Sequence, residues 1–188
     1  MSFCFNFTKS NNNDIIEKNL LIYKPQLKRK IKMKTLVVFY SRTGNNKKIA
    51  ELIKEKIGGD IEKIIDLKNR NGLIGWMRSG MDALLKRETK IKDTVSDPDN
   101  YDMLIVGNPV WAGSITPALR TYLNRNKDKI KDYALFSVSG FGEKNKKISD
   151  VIKSILKKEP KAELFISDKE LEKELYANKL NDFIKNIS

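Results

Sequence analysis

Apolar and polar residues alternate along this chain in blocks whose period keeps changing. "TLVVFY" (Thr35 to Tyr40) is a continuous apolar run, β-branched and aromatic, as in a strand buried on both faces. Ile49, Leu52, Ile53 and Ile57 then recur at helical spacing, and Gly58-Gly59 stop that helix. "DIEKIIDL" predicts a second strand. From Leu73 to Lys86 the spacing predicts a helix with Leu73, Met77, Met81, Leu84 and Leu85 turned inward. "SDPDNYD" is a turn cluster, and "MLIVG" (Met103 to Gly107) is another buried strand. Thr116-Pro117 opens a helix reaching about Asn124, with proline at the first helical position. "YALFSVS" is the next strand. A helix follows on Ile148, Val151, Ile152, Ile155 and Leu156, then the strand "AELFIS". Leu171, Leu175, Leu180, Phe183, Ile184 and Ile187 mark a terminal helix.

Five strands alternating with helices predict an α/β fold, a doubly wound parallel sheet with helices on both faces. The 188 residues fit one domain. The pattern begins at Lys34, and residues 1–33 differ from it. "KSNNND" reads as loop, Pro25 interrupts the apolar residues that follow, and a basic cluster runs from Lys28 to Lys32. We therefore expect a basic N-terminal extension over 1–33, disordered or an artefact of the start site. Met33 would be the natural beginning of a domain spanning 34–188.

Charge and composition narrow the function. The net charge is +13, of which residues 1–33 supply +5 (seven Lys/Arg against two Asp/Glu) and the rest +8. Such a balance suits an acidic partner, but the arginine–aromatic interleaving that single-stranded nucleic acid requires is missing, which argues against nucleic acid. One cysteine and no histidine exclude a disulfide framework, a Cys/His zinc site and a histidine-based triad. No apolar run approaches the roughly 20 residues of a membrane span. The start lacks the basic n-region of a signal peptide, so a cytoplasmic protein is expected.

In open α/β sheets, ligands bind beyond the carboxyl ends of the strands. Three such segments have unusual composition. After strand one, "SRTGNN" (Ser41, Arg42, Thr43, Gly44, Asn45, Asn46) enters a helix, offering unpaired backbone N–H groups, hydroxyls and a glycine. Either it holds a phosphate, or its polar residues merely cap the helix. It has neither the nucleotide P-loop spacing nor the dinucleotide glycine fingerprint. After strand three, "GNPVWAG" sets Trp111 between Pro109, Val110, Ala112 and Gly113. The indole would wall a planar ring or fold back on the core. After strand four, "SVSGFG" offers Ser139, Gly140, Phe141 and Gly142 as a second wall or as donors to a ring edge. Together the loops suit a ligand with a phosphate at one end and a flat ring at the other, as in FMN.

On these motifs, residues 34–188 resemble the flavodoxin family and its flavodoxin-like reductases, in their short-chain form. The family's phosphate loop reads Thr/Ser-x-Thr-Gly-x-Thr, close to "SRTGNN", with Asn46 where the family has Thr. The resemblance implies a sheet in the order 2-1-3-4-5. It implies that Ser41, Thr43, Gly44 and Asn45 hold the FMN phosphate; at the departing position the Asn46 amide can still donate, so weaker or rearranged binding is expected. Trp111 and Phe141 would lie against the isoalloxazine. A phospho-acceptor receiver domain would need acids where this chain has Ser41-Arg42 and Gly107-Asn108.

The expected function is an FMN-binding electron carrier, which needs no catalytic side chain. The alternatives are an FMN-dependent NAD(P)H:quinone-type oxidoreductase, a flavodoxin-like oxidase, or a flavin-free binding module. Typical flavodoxins are acidic, so the partners of this basic chain would be acidic redox proteins or a small-molecule acceptor. A monomer or a homodimer fits equally. The segment Gly72 to Lys90 would cover a substrate pocket or a dimer contact if its helix did not face the core.

Overall fold

Thr35–Phe39 forms the strand on which the sheet is assembled, and all five of its residues are buried. Successive side chains point to opposite faces. Leu36 and Val38 enter one apolar cluster, Val37 and Phe39 the other. The computed structural model describes residues 33–140, 142 and 147–187. The expected extension, apart from Met33, lies outside the described residues, as does Phe141.

The described elements run β1 (Thr35–Phe39), α1 (Asn45–Ile57), β2 (Asp60–Lys63), α2 (Gly72–Leu84), β3 (Met103–Gly107), α3 (Pro117–Asn126), β4 (Asp132–Ser139), α4 (Lys147–Leu156), β5 (Glu163–Ser167), α5 (Asp168–Glu172) and α6 (Ala177–Ile187). The strands form one parallel sheet in the order β2-β1-β3-β4-β5, the flavodoxin-like arrangement. Leu119, Tyr122 and Leu123 of α3 pack on one face with Ile148 and Ile152 of α4. Ile49 and Ile53 of α1 pack on the other with Leu180 and Phe183 of α6. Each such buried side chain contributes roughly 1.5–3 kcal/mol over leaving it in water.

Three expectations need correction. The strand drawn over "DIEKIIDL" keeps only Asp60–Lys63, and beyond it Asp66 bridges Ile91. The terminal helix is two helices, because the capping box of Ser167 and Glu170 starts α5 and the chain leaves it before α6. Leu175, assigned to the buried stripe, is 64 % exposed between them.

The third correction is the largest. Helix α2 exists, but its apolar stripe points outward. Leu73, Met77, Met81, Leu84 and Leu85 are all exposed, while Gly75, Ser79, Asp82 and Ala83 are buried. The cause is local. A Cβ at Gly75 would stand 2.4 Å from the Arg70 carbonyl carbon, so that helical turn sits directly on the backbone before it. Asp82 meets two cations on the same inner side, Arg70 (2.9 Å) and Lys68 (2.8 Å). Close backbone approach and buried ion pairing together overrule the hydrophobic period.

The capping box yields a pH prediction. Glu170 accepts from Lys179 (2.8 Å) and from the Ser167 N–H and hydroxyl (both 2.7 Å). Led by the Lys179 contact, these bonds lower its pKa from 4.5 to about 2. A depressed carboxylate stabilises the fold above its unfolded pKa and loses that contribution as pH falls. Glu170→Gln is therefore expected to be less stable than wild type near neutral pH. The gap in urea midpoint should narrow between about pH 4.5 and pH 2.

Candidate functional site

The chain leaves β1 toward β2 on one side, whereas β3 lies on the other. That switch point opens a crevice at the carboxyl edge of the sheet. Strands β1, β3 and β4 are neighbours, so the segments beginning at Tyr40, Asn108 and Gly140 converge on this edge. Two backbone bonds extend the ladder a step further: the Tyr40 N–H donates to Gly107 (2.9 Å), and the Asn108 N–H donates to Phe136 (3.2 Å). Gly107 is obligatory here, because a Cβ would fall 2.1 Å from the Phe136 ring.

The first loop turns on Gly44, whose φ of 99° lies in the left-handed region. Its N–H donates to the Ser41 hydroxyl (3.1 Å), folding the loop back before the helix begins. The first α1 bond runs from the Lys48 N–H to the Gly44 carbonyl (2.9 Å), so the N–H groups ahead of it have no partner within the helix. No acidic residue occupies the first turn, and no side chain caps it. The helix dipole adds partial positive charge at this end. Arg42 and Thr43 are exposed beside it.

The two asparagines divide. Asn45 donates from its side chain to Asp168 (2.9 Å). Asn46 is buried, and its amide is committed inward: Nδ2 donates to the Val138 carbonyl (3.2 Å), and Oδ1 accepts the Val138 N–H (3.1 Å). It satisfies the edge of β4 beyond the point where β3 stops. Asn46 therefore reaches the loop with its backbone, not with the side-chain amide expected to donate to an anion.

Trp111 sits in a tight turn with paired backbone bonds to Ser114 (3.0 and 2.9 Å). Ala112 (φ 47°) and Gly113 (φ 73°) are both left-handed, as a type I′ turn demands. Below the turn, Asn108 is buried and acts as a clamp. Its Oδ1 accepts from the Thr116 N–H (3.2 Å) and hydroxyl (2.7 Å), while its Nδ2 donates to the Pro109 carbonyl. Thr116 in turn caps α3 through the Leu119 N–H (3.3 Å). The loop carrying Pro109, Val110 and Trp111 is thus tied at both ends.

The indole is held from two sides. Tyr40 meets it edge to face, with centroids 5.4 Å apart and planes at 88°. The Arg70 guanidinium lies 5.7 Å from its centroid. Arg70 is buried, and its Nε–Asp66 contact is 2.6 Å; with the Asp82 contact it forms an ion-paired cluster. Burial opposes its charge, but the two carboxylates prevail and raise its pKa. Burial likewise works against the Asp82 carboxylate, which Lys68 and Arg70 nonetheless hold below its ordinary value. Burial first, and Asp66 after it, push the Tyr40 phenol up, so that phenol is neutral near pH 7. Arg70 Nη2 is buried without a partner. Arg42 donates to the Arg70 carbonyl (2.9 Å), joining this cluster to the first loop.

Two cavities flank the assembly. One, of about 300 Å³, lies between α2 and the Trp111 turn, lined by Trp76, Met77, Val110, Trp111 and Arg42. The other, of about 470 Å³, lies between the loops after β1 and β2 and includes Tyr40, Ser41 and Arg70. Of the third loop, Ser139 and Gly140 reach the same edge, and Gly142 (φ 51°) packs on Ser167. Among the described residues no cluster of acids, cysteines or histidines suits a metal. As parts of this edge, Asp66, Arg70, Asp82 and Asn108 were not expected from the sequence, and Thr116 was expected only as a helix start. The Asp66–Arg70 spacing in "DLKNR" and a lone Asp82 in an apolar helix were the available signals.

A helix start with no acid in its own first turn and an aromatic side chain at the end of the adjacent strand thus share one edge of a flavodoxin-like fold. The comparisons agree on the fold. A flavoprotein from Lactobacillus acidophilus, solved in complex with FMN, superposes with a TM-score of 0.62 at 24 % identity, covering 75 % of this chain and 97 % of its own. A Fusobacterium nucleatum flavodoxin bound to flavin mononucleotide gives 0.54 at 17 % identity, covering 82 % and 97 %. The Trp repressor binding protein of Bacillus subtilis gives 0.52 at 13 %, covering 80 % and 99 %. No family model and no curated protein matches the chain.

The Arg70 cluster makes a direct prediction. Arg70→Met takes the guanidinium from buried Asp66 and leaves Asp82 to Lys68 and Arg87, and is expected to cost about 3–5 kcal/mol in urea unfolding. Arg70→Met combined with Asp66→Asn should recover part of that loss, because the second change removes the charge left without its cation.

Proposed function

We propose that this protein binds FMN across the crevice and acts as a redox protein that transfers electrons. The observation that carries this reading is the convergence of three loops at the switch point, with a helix start that has no acid in its own first turn at one end and the Trp111 wall at the other. The donor set fits the cofactor. The hydroxyls of Ser41 and Thr43, the backbone around Gly44 and Asn45, and the Arg42 charge suit a phosphate. In this reading Trp111, flanked by Pro109, Val110, Ala112 and Gly113, covers the ring, and the loop from Ser139 to Gly142, Phe141 included, closes its other edge. FMN bound there would supply one- or two-electron transfer.

The chain's own residues then have definable work. Asn108 and the type I′ turn hold the Trp111 wall, so little of it must be ordered on binding. Asn46 fixes the phosphate loop to β4 and thereby the distance between phosphate and ring sites. Arg42 carries positive charge beside the phosphate loop and the cavity next to Trp111, while the charge of Arg70 is matched by Asp66 and Asp82. An acidic redox protein is the partner we favour, and its encounter rate should fall with salt.

A second reading has one observation in its favour. The cavity between Trp76 and Trp111 lies beside the ring wall and is partly apolar, as a pocket for a planar acceptor would be. It would make the protein an FMN-dependent NAD(P)H:quinone-type oxidoreductase or an oxidase. Steady NAD(P)H oxidation with a soluble quinone separates this from a carrier, which shows none.

Calorimetric titration tests the binding mode. Wild type is expected to bind FMN at least about tenfold more tightly than riboflavin, since a phosphate contact is worth 1.4 kcal/mol or more. Thr43→Val and Gly44→Leu should weaken FMN while changing riboflavin little. Equal affinities for both ligands in wild type would remove the phosphate assignment.

A further inference from the structure

The outward face of α2 is the largest feature that flavin binding leaves unexplained. Leu73, Ile74, Met77, Met81 and Leu84 all stand more than half exposed, on the side of the helix away from Gly75, Ser79 and Asp82, and Trp76, also more than half exposed, lies at the flank of that face. Soluble monomers rarely leave so many large apolar groups contiguous. Exposed Ile65 and Leu67, in the segment leading to the helix, add to the apolar surface of this region.

The charges around that face point to its occupant. Lys63, Arg78, Lys86 and Lys90 are exposed, and none has a carboxylate partner among the described residues. Over residues 63–92 the acids are Asp66, Asp82 and Glu88. Asp66 and Asp82 are spent on the buried Arg70 cluster, which leaves Glu88 as the exposed acid against that basic rim. An apolar face containing a tryptophan and bordered by unpaired cations has the make-up of a helix that lies in the plane of a lipid interface. A second copy of the chain fits worse, because a two-fold contact through this face would bring two basic rims together. No described helix is long and apolar enough to cross a membrane, so the contact would be peripheral.

We propose that the outward apolar face of α2, with its rim of Lys63, Arg78, Lys86 and Lys90, docks this protein on the surface of an anionic lipid membrane. The side chains of Leu73, Met77, Met81 and Leu84 would enter the headgroup–acyl boundary, and the rim cations would meet lipid phosphates. Trp76 and Met77 also line the cavity beside Trp111, so docking brings that cavity to the lipid surface. The proposal holds with or without bound FMN.

The test is sedimentation of the full-length protein with vesicles, run flavin-free and again with FMN. Binding is expected to phosphatidylcholine vesicles containing phosphatidylglycerol, and to be at least tenfold weaker to phosphatidylcholine alone. It should weaken as salt is raised. The variant Leu73→Gln/Leu84→Gln keeps every charge, including those of residues 1–33, and is expected to lose at least tenfold in partitioning while retaining the wild-type circular dichroism. In a Trp111→Phe background Trp76 is the remaining tryptophan, and its emission should shift to the blue on anionic vesicles. Wild-type partitioning by Leu73→Gln/Leu84→Gln would overturn the proposal and assign lipid binding to charge elsewhere. Absence of vesicle binding, with a dimer in analytical ultracentrifugation that the same variant dissociates, would overturn it in favour of a second copy.

Discussion

The reversal of strand order at β1, with β2 added on one side of it and β3 on the other, is the constraint from which the rest follows. A strand buried on both faces can present polar chemistry only at its ends, and in a parallel sheet all carboxyl ends lie on one edge. With the order 2-1-3-4-5, the loops after β1, β3 and β4 become neighbours although they are far apart in sequence. Each loop is short on chemistry alone. Brought together, they set an uncapped helix start and an aromatic side chain on one edge, and that edge is secured by polar side chains. Asn46 stitches α1 to β4 where β3 has ended, and Asn108 stitches the Trp111 turn to the start of α3.

The Arg70 cluster is the second organising element. It sits behind the indole, receives Asp66 from one side and Asp82 from the other, and through its carbonyl holds Arg42. Buried ion pairs of this kind are poor sources of net stability, because desolvation consumes most of the Coulomb gain. What this one determines is orientation. By drawing Asp82 inward it turns the polar side of α2 to the protein and the apolar side to the surroundings. One support of Trp111 and the outward turn of the proposed lipid-docking face therefore depend on the same cluster.

How much of this was legible in the sequence depended on which force dominated locally. Where burial dominated, as in "TLVVFY", "MLIVG" and the spacing of Ile49 and Ile53, strands and helices fall where the pattern put them. The Thr116-Pro117 helix start was equally readable, because capping is a local bond. Leu73, Met77, Met81 and Leu84 carried an equally good helical period, but the period says only that one side is apolar. Which side faces the core was decided by Gly75, through a close approach to Arg70, and by Asp82, through partners not adjacent to it in sequence. Asn46 shows the same limit within the site. Its place in the loop motif was visible, but the unfilled edge of β4 that captures its amide exists only in the folded sheet.

The central claim, that the crevice holds FMN with its ring against Trp111, is met most directly by one spectrum. The purified full-length chain is scanned in the visible region before and after FMN is added and the excess removed by gel filtration. Retained flavin absorption is expected, perturbed from that of free FMN, with flavin fluorescence strongly quenched by the indole and restored in part by Trp111→Ala. A protein that emerges colourless after incubation with FMN, while keeping its folded circular dichroism, would contradict the account.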